Sequence, residues 1–193
     1  MPRQVTTELL LIRHAPALSA GKMAGRRDVD ADCSATRAFA ALGTVVGGYD
    51  HLIISPALRC AQTTAGLWPD QPNPTTDPRL WEQDFGAWEG MPYADLPDLG
   101  TLDGAALAQH RPPNGESFAD LCARAAPALT EIAALGGRVA IVAHAGIVRA
   151  ALALALGNVA CGLTFQIAPL SLTSITALPG GSWSIGQVNR AFL

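Results

Sequence analysis

The sequence is almost without lysine: Lys22 stands alone against twelve arginines in a basic total of 13. Its positive charge is therefore nearly all guanidinium, a planar group suited to bidentate contact with carboxylate or phosphate, though GC-rich coding produces the same skew. Charge is sparse as well, at 15% of residues and a net value of -3, which excludes the strong one-signed field that gathers nucleic acid or an anionic membrane. Long apolar runs are missing. Leu9 to Ile12 is too short for the core of a signal peptide, and AGIVRAALALALG, residues 145–157, carries Arg149 and falls short of a bilayer span. There is no C-x-x-C pair. Cys33, Cys60, Cys122 and Cys161 are too scattered for a zinc site or disulfide framework and read as reduced thiols. These absences lead us to expect a soluble, cytoplasmic chain. No linker or internal repeat divides the 193 residues, so residues 1–193 are expected to form a single domain.

What is present alternates between two periods. TELLLIR (7–13), DHLIIS (50–55) and RVAIVAH (138–144) are short apolar runs that predict strands buried on both faces. SATRAFAALGTVVG (34–47) predicts a helix with Ser34 as N-cap and glycines at the exit. A second helix follows Pro56, placed in its first turn, through residue 68. A third spans 115–136, with Ser117 and Asp120 at capping-box spacing and a kink expected at Pro127. A fourth covers 146–156. Between them, residues 69–115 are rich in Pro, Gly and Asp, and an irregular insert of that length is usually functional. The end of the chain alternates with period two around Pro179-Gly180-Gly181, as a hairpin does. It suits an internal hairpin or edge pairing in a homodimer equally, so the oligomeric state stays open. Strands alternating with helices predict a three-layer α/β/α sandwich, with a mostly parallel sheet and an antiparallel edge strand.

In such sheets ligands bind beyond the carboxyl ends of the strands. Here three strand ends carry one chemistry. The first finishes at Arg13-His14, the second leads through Ser55-Pro56 to Arg59, and the third finishes at His144. A lone histidine at a strand end is as often hydrogen-bonded to a loop as part of a site; two histidines and two arginines on one sheet edge are harder to attribute to accident. Guanidinium groups grip a phosphate dianion, and the helix starting after His144 adds free N–H groups. Like charge keeps a nearby imidazole neutral and nucleophilic, able to attack phosphorus, while a second histidine hydrogen-bonds the equatorial oxygens. An acid is also needed, and Glu82, Asp84 and Glu89 are the candidates. Packing by Trp81, Phe85 and Trp88 is expected to raise the pKa of one of them. The alternative of Ser55 as a nucleophile lacks a glycine elbow, and Arg26, Arg27, Glu116 and Ser117 stay unassigned.

These residues resemble the histidine phosphatase superfamily, of phosphoglycerate-mutase-like fold. LIRHAPA is similar to its R-H-G signature, SPALRCAQTT to S-P-x-x-R-x-x-x-T, EQDFGAWEG to its acid-bearing loop, PPNGES to P-x-G-E-S, and VAHAG to H-x-G, in family order. One position departs: Ala15 stands where the family carries glycine. The resemblance implies His14 as the phosphorylated nucleophile, Arg13, Arg59 and His144 as the phosphate pocket, and Glu82 as the proton donor, with no metal or organic cofactor. It implies a phosphomonoester hydrolase acting on a small phosphorylated metabolite. MAGRRDVDAD, EQDFGAWEGMPYADL and PPNGESFADL are closest to the α-ribazole phosphatase branch, which makes α-ribazole 5'-phosphate of cobalamin biosynthesis the first substrate expectation. A broad-specificity or sugar-phosphate phosphatase is the second, and a non-catalytic phospho-ligand-binding protein the alternative of another class.

Overall fold

The computed structural model describes residues 5–70 and 74–192. Residues 1–4, 71–73, in the irregular middle, and 193 lie outside it. Four apolar residues in succession make the first strand, β1 (Thr7–Arg13), a two-sided one. Leu9 and Leu11 point into one core cluster, Leu10 and Ile12 into another, and each is 2% exposed or less. At about 2 kcal/mol for each fully buried aliphatic side chain, this strand ties the two cores together.

Beside it lies β4 (Gly137–Ala143), parallel to β1, and beyond that β2 (His51–Ile54), parallel to β4. A two-residue strand, β3 (Thr75–Thr76), closes that edge. On the other side β5 (Leu172–Ala177) runs antiparallel to β1, and β6 (Trp183–Arg190) pairs antiparallel with β5. The full order is β3-β2-β4-β1-β5-β6. β5 alone runs against the parallel set, one place in from the edge, and β6 returns as the outermost strand.

Helices cover both faces. α1 (Thr36–Val46) and α2 (Leu58–Leu67) pack on the side of Leu10 and Ile12; α4 (Phe118–Ala133) and α5 (Ala145–Leu156) pack on the side of Leu9 and Leu11. This is the three-layer α/β/α arrangement expected. Two starts differ from the sequence reading. The N-cap of α1 is Ala35, not Ser34, because Ser34 is drawn into a turn in which its N–H donates to Asp32 Oδ1. Pro56 precedes α2 instead of entering its first turn, because Ser55 and Pro56 are taken up in the bend that leaves β2.

The capping box of Ser117 and Asp120 is formed, and α4 continues through Pro127. α3 (Gly104–Gln109), α6 (Val159–Gly162) and three 3-10 turns, at Pro78–Leu80, Gly86–Trp88 and Tyr93–Asp95, had no clear periodic signal. The four cysteines are free thiols, Cys60 and Cys122 buried and Cys33 and Cys161 half-buried. Among the described residues no helix is long and apolar enough to cross a membrane.

Candidate active site

Because β1, β4 and β2 are parallel neighbours, their carboxyl ends meet on one edge. The register sets Arg13 beside Ala143, and the His14 N–H donates to the Ala143 carbonyl. His14 and His144, each one residue past a strand, are thereby brought to a ring-centroid distance of 5.1 Å in an edge-to-face arrangement. Both are buried, at 4% and 0% exposed.

Arg59 lies between them, on the first turn of α2, and is itself 1% exposed. Its Nε donates to His14 Nε2 at 3.2 Å and its Nη2 to His144 Nδ1 at 3.1 Å. Nη1 donates to the Arg27 carbonyl (2.9 Å) and Nη2 also to the Gly25 carbonyl (2.7 Å). The guanidinium is thus locked from behind by backbone. These carbonyls give Arg27 and Gly25 their place in the site, whereas the Arg27 side chain is exposed.

The hydrogen bonds fix where the imidazole protons sit. His14 Nδ1 donates to the Ala15 carbonyl at 2.6 Å, which leaves Nε2 as the lone pair facing Arg59. Burial pushes the His14 pKa down to about 3, reinforced by the Arg59 and Arg13 charges and opposed by the bond to Ala15. His144 is driven well below the ordinary histidine value, by burial first and then by His14, Arg59, Arg13 and Arg124. Both rings are therefore neutral. Trp81 lies parallel to His144, 6.1 Å between centroids.

Ala15 fits this geometry without strain. Its φ is not positive, its N–H donates to Thr63 Oγ1 at 2.9 Å, and its methyl group is fully buried in the second core cluster. Glycine's conformational freedom is not needed at this position.

Arg13 is half-buried, with Nη1 on the Ile167 carbonyl and a buried Nε that has no partner among the described residues. Burial lowers its pKa, Glu82 opposes this, and Arg149 and Arg59 add to it. Arg149, on α5, went unassigned in the sequence reading; its Nε donates to the Phe165 carbonyl. So the 165–167 segment steadies both arginines.

Of the three candidate acids, only Glu82 faces this cluster. Its Oε2 accepts from the Gly146 N–H at the start of α5 (3.4 Å) and its Oε1 from the Gln83 N–H (2.9 Å). A Cβ at Gly146 would collide with this carboxylate, which is why glycine stands two residues after His144. Glu89 accepts instead from the N–H groups of Arg26 and Phe85, and Asp84 from that of Gly86. Both organise the loop itself.

Glu82 rides on a segment that Arg124 holds from behind. Arg124 Nη1 donates to the carbonyls of Arg79 (2.7 Å) and Trp81 (3.0 Å), and Nη2 to that of Glu82 (3.2 Å). Its opposite side pairs with Glu116, which also binds Arg26. Burial pushes the Glu116 pKa up, but the Arg124 bonds, the Asp84 N–H and the charges of Arg124 and Arg26 outweigh it and hold the group low. Arg26 and Glu116 therefore serve the wall of the site, and Ser117 serves the helix start. Arg124 leaves no trace in the sequence, since an arginine inside an amphipathic helix carries no signal of three backbone acceptors 42 to 45 residues away.

The family model of the histidine phosphatase superfamily (branch 1) matches residues 9–190. The chain belongs to that superfamily. Its fold is that of mycobacterial glucosyl-3-phosphoglycerate phosphatase, at 24% identity and a TM-score of 0.81 over 95% of this chain and 99% of the other. It also matches the α-ribazole phosphatase from Shigella flexneri, at 22% identity and 0.80 over 95% and 96%. A third match is the phosphoserine phosphatase of Entamoeba histolytica, at 19% and 0.79 over 95% and 96%. A sequence search of curated proteins finds no match. Membership of this superfamily supports a phosphatase enzyme.

Proposed function

We propose that the protein hydrolyses phosphomonoesters through a phosphohistidine intermediate on His14. One observation carries this reading: the lone pairs of His14 Nε2 and His144 Nδ1 converge on the two donors of Arg59 that a phosphoryl group would take. Arg59 and Arg13, whose buried Nε lacks a partner among the described residues, grip the phosphoryl oxygens, and His144 faces the same group. His14 Nε2 attacks phosphorus as the bond to the leaving oxygen breaks, and protonated Glu82 gives that oxygen its proton. In the second step the Glu82 carboxylate takes a proton from water, water attacks phosphorus, and the P–N bond breaks to restore neutral His14. No step calls for a metal or organic cofactor.

For the substrate we propose a small phosphorylated metabolite of the cytoplasm, with α-ribazole 5'-phosphate first. The MAGRRDVDAD and PPNGESFADL stretches favour that branch, and the fold is shared with an α-ribazole phosphatase. Comparable structural likeness to a glucosyl-3-phosphoglycerate phosphatase and a phosphoserine phosphatase keeps broad specificity as the second reading. A panel of α-ribazole 5'-phosphate, sugar phosphates, phosphoserine and phosphoglycerates separates the two, and equal turnover on all would remove the first. The mechanism is tested by alkaline detergent quench after mixing with a phosphomonoester labelled in its phosphoryl group. Wild type is expected to retain acid-labile, alkali-stable phosphate, and His14→Ala to lose the label and about 10⁴-fold or more of the turnover. A His14→Ala protein that hydrolyses at the wild-type rate would refute the assignment.

A further inference from the structure

Glu89 closes the acid loop by accepting from the Phe85 N–H at 3.1 Å, but its second hydrogen bond leaves that loop. The same Oε1 accepts from the Arg26 N–H at 2.8 Å. That N–H and the Gly25 carbonyl belong to one planar peptide unit, and the Gly25 carbonyl accepts from Arg59 Nη2 at 2.7 Å. Glu89 and Arg59 thus hold opposite ends of a single peptide group, and turning its plane disturbs both contacts. Gly25 is suited to this place. It is buried, its φ is +53°, and a Cβ added there would collide with Glu89 Oε1. The left-handed backbone and the close approach of the carboxylate each call for glycine. Two backbone bonds keep the segments side by side next to Glu89: Met23 N–H to the Met91 carbonyl (2.9 Å) and Gly90 N–H to the Met23 carbonyl (2.8 Å).

We infer that Glu89 is a positioning residue that joins the phosphate grip to the proton donor: it orients the Gly25–Arg26 peptide behind Arg59 and, through the Phe85 N–H, the loop that carries Glu82. The inference rests on the phosphomonoester reading given above. Hydrogen bonds in a chain polarise one another, so an N–H that donates to a carboxylate makes the carbonyl of its own peptide a better acceptor. Arg59, 1% exposed, depends on such acceptors, because buried donors left without partners are costly.

The other bond acts on Phe85, three residues after Glu82. Arg124 braces the same loop from behind, through the carbonyls of Arg79, Trp81 and Glu82, but meets neither carbonyl that holds Arg59. A change at Arg124 therefore reaches the acid alone. A change at Glu89 reaches both the acid and the guanidinium, and the loss of its single acceptor oxygen is felt in two functions at once.

Such a joint is told from a simple loop brace by reading affinity and turnover on one variant. Phenylphosphonate, whose P–C bond is not hydrolysed, is titrated calorimetrically. The stoichiometry counts folded molecules, so Kd is read on those alone, and kcat for an alkyl phosphate is normalised to them. Glu89→Met keeps the length of the side chain and removes the acceptor. It is expected to weaken phosphonate binding about tenfold and to lower kcat about tenfold. Glu89→Gln keeps an oxygen able to accept from both N–H groups and is expected to stay within about threefold of wild type in both. If Glu89→Met yields no folded protein, Glu89→Asp takes its place; its carboxylate stands one methylene short, and the same paired loss is expected. Wild-type phosphonate affinity in the impaired variant, with or without a fall in kcat, overturns the inference. So does a Glu89→Gln protein as impaired as Glu89→Met, since charge and not the hydrogen bonds would then act. Failure of phenylphosphonate to bind wild type at all overturns the pocket reading on which the inference stands.

Discussion

The floor and the wall of this site are built by different means. The floor is Arg13, His14, Arg59 and His144, three of them at most 4% exposed. Arg13 ends β1, His14 and His144 each stand one residue past a strand, and Arg59 lies in the first turn of α2, so the parallel ladder of β1, β4 and β2 places them through backbone geometry. The wall is the segment from Arg79 to Gly90, which has only short 3-10 turns of its own. Side chains hold it: Arg124 on three carbonyls, Glu116 between Arg124 and Arg26, and Glu89 on two N–H groups. In the mechanism proposed above, a rigid floor fixes where phosphorus sits. A loop held by a side-chain network then decides where Glu82 stands and what leaving group fits beneath it, and such a loop can change without disturbing the sheet.

The division predicts that the wall can be disabled while the floor still binds. Glu82→Gln is expected to slow hydrolysis of an alkyl phosphate by about 10² to 10⁴-fold, with phenylphosphonate affinity unchanged. With p-nitrophenyl phosphate, whose leaving group departs without a proton, the deficit in the first step shrinks and burst kinetics separate it from the slowed second step. Wild-type turnover of the alkyl ester by Glu82→Gln would show that another group is the acid.

One step further from the chemistry, Arg124→Ala removes the fork behind residues 79–82. A misplacement of about 1 Å in a catalytic group costs up to about 10²-fold, so kcat is expected to fall by about tenfold to 10²-fold. Phosphonate affinity stays at the wild-type level. Arg124→Lys does not rescue, since an ammonium cannot serve the carbonyls of Arg79, Trp81 and Glu82 and both oxygens of Glu116 at once. Equal losses in phosphonate affinity and kcat would mean that Arg124 supports the floor too.

The same division explains what was legible in the sequence. Apolar runs ending in Arg-His or His declared the floor, because a two-faced strand leaves little choice of direction and neighbouring parallel strands must end together. Ser117 with Asp120 declared the start of α4 for an equally local reason. Ser34 failed as a cap because Asp32, two residues earlier, takes its N–H into a turn, a competition that propensity does not rank. Glu82 could not be separated from Asp84 and Glu89 by composition. The distinction lies in which N–H groups each carboxylate meets: Gly146 for Glu82, loop N–H groups for the others. Arg124 was invisible because its acceptors are backbone carbonyls, and a carbonyl leaves no mark in a sequence.

The smallest expected effect tests the floor where it departs from the family signature. Were glycine essential after His14, Ala15→Gly would raise activity by relieving strain. The geometry predicts otherwise. Ala15 has no positive φ, and its two contributions to the site are its N–H to Thr63 and its carbonyl to His14 Nδ1, which any residue supplies. Its methyl group fills space in the core cluster of Ile12, Ala57 and Leu170. Removing it forfeits roughly 0.8 kcal/mol of burial, and glycine adds a backbone-entropy cost of roughly 0.5 to 1 kcal/mol. Ala15→Gly should therefore unfold at lower denaturant, by roughly 1 to 2 kcal/mol in stability, with kcat/KM within about twofold of wild type. A tenfold gain in kcat would mean that the Ala15 methyl group holds His14 off its line of attack, and the floor would then be less finished than its hydrogen bonds imply.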